Sequence, residues 1–217
     1  YAYSENFILV LSHDEVVHLK CSMLGKMPGD REDKFANLKL AYAYMCGHPG
    51  KKLLFMGQEF GQWNEWSEKR ALDWYLLEDD SHKELKDFTK ACLILNKKYR
   101  CLYETDYSPE GFRWINANDK DNSVFSFIRI SPDKKRHLLF VFNFTPVERP
   151  NHRIGVPVKG KYKLVLGDDM KNQKKTLTSV RGECDGYKES LLIDLHRYGI
   201  AVYEFNGDVN AHKPTKI

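Results

Sequence analysis

Residues 7–18, FILVLSHDEVVH, decide how the first half of the sequence is read. Phe7 to Leu11 is continuously apolar, without the alternation of a strand that has one wet face. That pattern belongs to a parallel strand covered on both sides. The run then gives way to Ser12, His13, Asp14, Glu15 and His18. The carboxyl end of a parallel strand is where α/β barrels carry their catalytic groups. A carboxylate there can act as base, nucleophile or electrostatic partner, and a histidine can donate to hydroxyls. The same residues can equally cap a turn and satisfy a backbone carbonyl, and the local sequence leaves both readings open. His13 and His18 are spaced to bind a metal, but no third ligand follows in a recognisable pattern, so no metal site is expected.

Outward from this stretch, the strand is read over 5–12, and a loop ending in MPGD follows, with Asp30 as helix N-cap. Phe35, Leu38, Ala41, Tyr42 and Met45 recur at helical spacing until Gly47 and Pro49 stop the helix. KKLLFMG (51–57) reads as a second apolar strand, followed by a long polar and aromatic loop, QEFGQWNEWSEKRALDW (58–74). Ser81 with Glu84 forms a capping-box pattern before a helix through Leu85, Phe88, Cys92, Leu95 and Tyr99. Strand, helix, strand, helix is the order of the last βα units of a parallel sheet or barrel. Two such strands cannot cover their own apolar faces. The reading therefore expects further strands before Tyr1, in a longer chain from which this one is a piece.

After about Ser108 the texture changes. Segments 112–118, 123–131, 137–145, 153–158, 161–167 and 199–205 are rich in β-branched and aromatic residues, and PDKK (132–135) separates two of them as a hairpin connection. This spacing predicts a β-sandwich. Segment 168–190 reads as a loop-heavy edge or hairpin, and 208–217 as a frayed tail. The predicted fold is thus α/β plus all-β: barrel units over 1–107, then a β-sandwich over 108–217.

Composition narrows the function classes. With 42% hydrophobic and 13% aromatic residues the chain can build a core. A net charge of +4, from 34 basic and 30 acidic residues spread along the chain, does not suggest nucleic acid. Lys97-Lys98 and Lys134-Lys135-Arg136 read as solvated faces. The five cysteines are an odd number without CxxC spacing, which fits a reducing, cytoplasmic setting, with Cys46 and Cys92 as small buried residues. No run approaches the roughly 18 apolar residues of a membrane span, and no signal peptide opens the sequence. No membrane partner is expected.

The loop after the second strand supplies Gln58, Glu59, Gln62, Trp63, Asn64 and Trp66 at the same end as His13 and Asp14. Carboxylates, amides and indole rings suit sugar recognition: forked hydrogen bonds to neighbouring hydroxyls and flat faces beneath the ring C–H groups. Glu59, Gln62, Trp63 and Trp66 are the candidate substrate-binding residues; the alternative is that the tryptophans pack the loop onto the rim. Gly57 and Gly61 read as turn glycines, and Arg70 with Asp73 as a contact that organises the loop.

The segments SENFILVLSHDEVVH, GKMPGD, KFANLKL, HPGKKLLFMGQEFGQWNEW, ALDWYLL and SPEGFRWINANDKDNSVFSFIR, in this order and spacing, resemble the carboxyl-terminal part of the 1,4-α-glucan (glycogen) branching enzymes, members of the α-amylase superfamily. The resemblance is close over 1 to about 145 and looser beyond. It implies a (β/α)₈ (TIM) barrel that cleaves α-1,4-glucan and transfers the segment to a 6-hydroxyl, with retention and without a cofactor. Retention needs a carboxylate nucleophile and a carboxylic acid/base about 5–5.5 Å apart. In the family both precede the stretch that LSHDE matches, and neither maps onto this sequence. What maps is the third catalytic carboxylate, onto Asp14, and its histidine neighbour, onto His13. By this resemblance Asp14 stabilises the transition state and His13 hydrogen-bonds a substrate hydroxyl, while Glu15 and His18 shape the loop. The implied partners are α-1,4-glucan and the remaining, N-terminal part of the barrel, and the 217-residue chain alone is expected to be inactive. Leu19 stands where the family pattern has glycine, and Cys21 where it has a basic residue. A related hydrolase or glucanotransferase of the superfamily, or a non-catalytic glucan-binding module, are the alternatives.

Overall fold

The computed structural model describes residues 7–133 and 135–211. Residues 5 and 6 of the expected first strand, Lys134 of the PDKK connection and 212–217 of the expected tail lie outside the described residues. The chain is mostly β-structure with few helices. Strand β1 (Ile8–Leu11) is followed by a short helix α1 (Met23–Lys26), α2 (Arg31–Gly47), β2 (Lys51–Leu54) and α3 (Asp80–Lys98). Nine further strands follow: β3 (Phe112–Asn116), β4 (Val124–Arg129), β5 (His137–Asn143), β6 (Arg149–Val156), β7 (Lys161–Gly167), β8 (Thr176–Thr178), β9 (Val180–Cys184), β10 (Tyr187–Leu195) and β11 (Ile200–Phe205).

β1 and β2 pair in parallel, in register from Ile8↔Lys51 to Leu11↔Leu54. Asp30 caps α2 as its sequence position suggests, its carboxylate accepting the Asp33 N–H at 2.9 Å. At α3 the capping box is not used. Asp79, not Ser81, is the N-cap and accepts the Ser81 N–H at 2.8 Å, which leaves Glu84 free to pair with Lys39 of α2 at 3.3 Å. A carboxylate two residues upstream satisfies the same orphan donors and favours the helix dipole as well.

The remaining strands form two antiparallel sheets, one of six strands in the order β3-β4-β5-β11-β7-β8 and one of three in the order β6-β10-β9. One face of the six-stranded sheet packs on the smaller sheet, joining Ile128, Leu139, Val141 and Tyr203 to Ile154, Leu191 and Ile193. Its other face packs on the helices, joining Phe127, Leu138, Phe140, Phe142 and Val202 to Leu40, Ala43, Cys46, Cys92 and Leu95. The sheet is therefore the middle of three layers. This is why HLLFVFN in β5 is apolar without interruption: all seven residues are buried, the two parities facing different cores.

α2 is the wedge that makes this possible. Phe35, Leu38 and Tyr42 face the cluster beneath β1 and β2, while Leu40, Ala43 and Cys46 face the six-stranded sheet. Two apolar stripes on one helix exceed the single stripe of an ordinary surface helix. Segment 168–190, expected as a loop-heavy edge or hairpin, holds β8 and the hairpin of β9 with the start of β10, and β10 is the central strand of the smaller sheet. β9 and β10 meet at the two-residue turn Asp185-Gly186, both with positive φ (50° and 77°), the Asp-Gly form of a hairpin turn. The first part of the expected frayed tail is docked through Asn210: Val209 is buried, and Arg113 donates to the Val209 carbonyl at 2.7 Å and to Asn210 Oδ1 at 2.6 Å.

Candidate active site

The site grows from the carboxyl ends of β1 and β2. Parallel pairing sends both following segments out at one end of the pair. Phe55 N–H donates to the Leu11 carbonyl at 2.9 Å. The buried Gln58 amide then donates to the carbonyls of Leu11 and Ser12, 3.3 Å from each, joining the two exits. From α2, the Tyr42 hydroxyl donates to the Gln58 carbonyl at 2.9 Å. Gly57 (φ 89°) and Gly61 (φ 71°) bracket the single 3₁₀ turn Gln58–Phe60, each in the left-handed region where a Cβ is disfavoured.

Ser12 caps the short turn His13–Glu15 by accepting the Asp14 N–H at 3.1 Å. The Asp14 carbonyl accepts from Lys20 Nζ at 2.9 Å, and the Glu15 carbonyl accepts from Lys26 Nζ. With its backbone held on both sides, Asp14 leaves its carboxylate 70% exposed, Oδ1 lying 3.4 Å from His13 Nε2. The His13 ring sits against Phe55 (5.9 Å between centroids) and Trp66 (6.3 Å), which themselves meet edge to face at 5.2 Å. An open carboxylate beside an oriented imidazole is a group that can accept from one hydroxyl while its neighbour donates to another.

Of the four expected binding residues, the structure brings only Trp66 to this cluster, where its backbone N–H also donates to the Val16 carbonyl at 3.0 Å. Gln62 is buried with both ends engaged inside its own loop, donating to the Asn64 carbonyl at 3.2 Å and accepting the Asp73 N–H at 3.1 Å. Trp63 lies edge-on to Phe35 and His82 and packs the loop onto α2 and α3. Glu59 accepts the Gly57 N–H at 2.8 Å and faces a groove of about 270 Å³ that Tyr42, Lys52, Leu54, Thr89 and Leu93 also line, on the helix side of the strand pair. Burial in that region pushes the Lys52 ammonium down to about 8, with Asp106 acting in the opposite sense. Arg70 and Asp73 approach to 3.8 Å, a contact within the loop.

Glu65 emerges from the structure rather than the sequence. Its carboxylate accepts the Leu19 N–H at 3.1 Å and the Cys21 N–H at 2.7 Å. The contact spans more than forty positions in the chain, so no local pattern announces it. Among the described residues no group of three or more potential metal ligands occurs, and no helix is long and apolar enough to cross a membrane.

The family model for the alpha amylase C-terminal all-beta domain matches residues 114–206. Over 209 residues the chain is 50% identical to a 1,4-alpha-glucan branching enzyme GlgB of Butyrivibrio fibrisolvens, covering 93% of this chain and 33% of that protein. It is 51% identical over 171 residues to the enzyme of that name from Aquifex aeolicus, covering 79% of this chain and 27% of that protein. In fold it is similar to AmyP solved in complex with maltotriose (TM-score 0.61, 14% identity, 92% of this chain and 40% of that one) and with maltose (TM-score 0.58, 12% identity, 97% and 42%). The chain spans about a third of the length of the curated relatives it matches. Half of its aligned residues are shared across nearly its whole length, so that the chain is similar throughout to a part of the 1,4-alpha-glucan branching enzymes.

Proposed function

We propose that this chain is the carboxyl-terminal portion of an enzyme that cleaves α-1,4-glucan and transfers the released segment to a 6-hydroxyl, forming α-1,6 branches with retained configuration. The observation that carries the reading is Asp14, an open carboxylate beside His13 at the shared exit of two parallel strands. In this reading residues 1–107 are the last βα units of a (β/α)₈ barrel and 108–217 are the all-β domain. The uncovered apolar face of the strand pair supports it: Ile8 and Val10 are 52% and 47% exposed, and Leu53 beside them 39%. Neighbouring barrel strands and their side chains would cover such a face. The β1-α2-β2-α3 order is also that of adjoining barrel units.

The chemistry assigned to Asp14 follows from charge. A retaining transfer passes through an oxocarbenium-like transition state, and hydrogen bonds to ring hydroxyls strengthen as positive charge develops. Asp14 accepts from two of those hydroxyls while His13, fixed by Phe55 and Trp66, donates to one. Both contacts then bind the distorted ring more strongly than the relaxed one. The bond-making nucleophile and acid/base are assigned to the part of the enzyme outside this sequence, so the 217-residue chain alone does not branch glucan. The substrate is a linear α-1,4-glucan, no cofactor is needed, and the setting is the cytoplasm, where cysteines stay reduced.

The test uses the complete gene product carrying this sequence. Asp14→Asn keeps the shape and removes the charge, and turnover should fall by about 10²–10³-fold or more with the thermal midpoint unchanged. Counting α-1,6 linkages in the product by NMR separates transfer from hydrolysis, which yields new reducing ends instead. Near-normal branching by Asp14→Asn would refute the assignment, and reducing ends without α-1,6 links would point to a hydrolase.

A further inference from the structure

We infer that Glu65 is a positioning residue for Asp14, acting through the loop 18–21; the inference rests on the role proposed for Asp14. After the turn that carries His13 and Asp14 the chain reverses sharply. His18, Leu19 and Cys21 all adopt left-handed backbone, with φ of 58°, 64° and 64°. None is glycine, and each L-residue in that region brings its Cβ against its own carbonyl. Leu19 gains no packing in return, since 95% of it is exposed. A reversal built from such residues does not hold its shape by local preference, so its stability has to come from a contact outside it.

Glu65 supplies that contact. One carboxylate oxygen accepts the Leu19 N–H at 3.1 Å and the other the Cys21 N–H at 2.7 Å. The two amides flank Lys20, whose ammonium donates to the Asp14 carbonyl at 2.9 Å. The anchor is itself tied down: the Glu65 carbonyl accepts from Arg70 at 2.7 Å, and the next residue, Trp66, donates its N–H to Val16 and stacks edge-on to His13. One carboxylate thus fixes the loop, the loop fixes Lys20, and Lys20 fixes the main chain of Asp14. A charged acceptor is the right group, because bonds from two amides to one carboxylate are stronger than bonds to a neutral acceptor. An amide in its place would turn an N–H₂ toward one of the donors.

The experiment is a cycle in the complete gene product, with Glu65→Gln and Glu65→Ala made alone and with Leu19→Gly. Displacing Asp14 by a fraction of an ångström to an ångström should lower kcat by about 10–10²-fold, with KM for glucan within about threefold and the thermal midpoint little changed. Glycine accepts the left-handed conformation without strain, so Leu19→Gly should restore most of the lost kcat in the Glu65 variants while changing the parent little. Hydrogen exchange at the Leu19 and Cys21 amides should accelerate in Glu65→Gln, a readout independent of turnover. Unchanged kcat in both Glu65 variants, or a loss that Leu19→Gly leaves untouched, would overturn the inference. If either variant fails to fold, the exchange rates in the other decide. Asp14→Asn run alongside separates the two claims: if it is inactive while Glu65→Ala is normal, only the positioning role falls, and if it is active the role of Asp14 falls first.

Discussion

Replacing Arg129 with methionine should unlock the helices from the six-stranded sheet. Arg129 is fully buried, and its guanidinium donates to Asp106 Oδ1 at 2.7 Å, to the Gly47 carbonyl at the end of α2 at 2.7 Å, and to the Gly111 carbonyl at 3.3 Å. Asp106, 6% exposed at its side chain, has a second cation in Lys51 at 3.1 Å, but that ammonium arm is half in solvent and screens accordingly. Methionine matches the aliphatic stem and removes all three donations. A buried carboxylate keeps only its weaker partner, the Gly47 carbonyl loses the Arg129 donor, and the Gly111 carbonyl keeps only the Ile130 N–H at 2.9 Å. Breaking a buried pair from one side costs about 3–5 kcal/mol. Urea titration followed by far-UV circular dichroism should show a loss of that size, with the midpoint displaced toward lower denaturant. Asp106→Asn in the same background should cost less than it does alone, because the two residues couple by roughly 1–3 kcal/mol. A stability for Arg129→Met within about 1 kcal/mol of the parent, the scatter of ordinary surface changes, or strictly additive costs in the cycle, would refute the reasoning.

Gly47→Ala tests how closely α2 approaches the sheet. A Cβ there would lie 2.7 Å from the Phe140 ring and 3.0 Å from Phe127, so the variant should lose about 1–2 kcal/mol by overpacking, although alanine is the better helix former; a rise in thermal midpoint would contradict this. His196 bonds Asp168 at 2.7 Å, and that partner raises its pKa above the ordinary 6.5. A raised folded pKa means the stabilisation is complete below the unfolded value and is lost as pH rises through the folded one. The stability gap between the parent and His196→Gln should therefore be wider near pH 5 than near pH 8.5, and an equal gap at both would disprove the pairing. His48 and His152 are pushed the other way by burial, but they are common to both proteins and drop out of the comparison.

Much of this protein was legible because it is set locally. Asp30 as a cap, the α2 stripe through Phe35, Leu38 and Tyr42, the turn glycines Gly57 and Gly61, and the hairpin strands β4 and β5 each depend on residues a few positions apart. The hairpin that 168–190 allowed forms at Asp185-Gly186, but the polar texture around it did not show that its second strand is the centre of a sheet. Among the candidate site residues, the pairing of His13 with Asp14 was legible from their place just after a strand, because the two are chain neighbours and the turn that carries them is local. Residue type alone gave Glu59, Gln62 and Trp63 the same standing as Trp66. Their partners, which lie in the loop, in α2 and α3 and at Gly57, separate them in space.

What the sequence by itself determined is the chemistry within reach of one turn or one strand: the elements, most of their ends, and a carboxylate–histidine pair at a strand exit. The tertiary structure alone decided that α2 buries a second stripe against the β-sheet, that Arg129 locks that seam, and that Glu65 holds a left-handed loop beside Asp14. These contacts join residues from about forty to more than eighty positions apart. Their free energy comes from burial and paired charge at the closed interface, and no short window of sequence contains both partners.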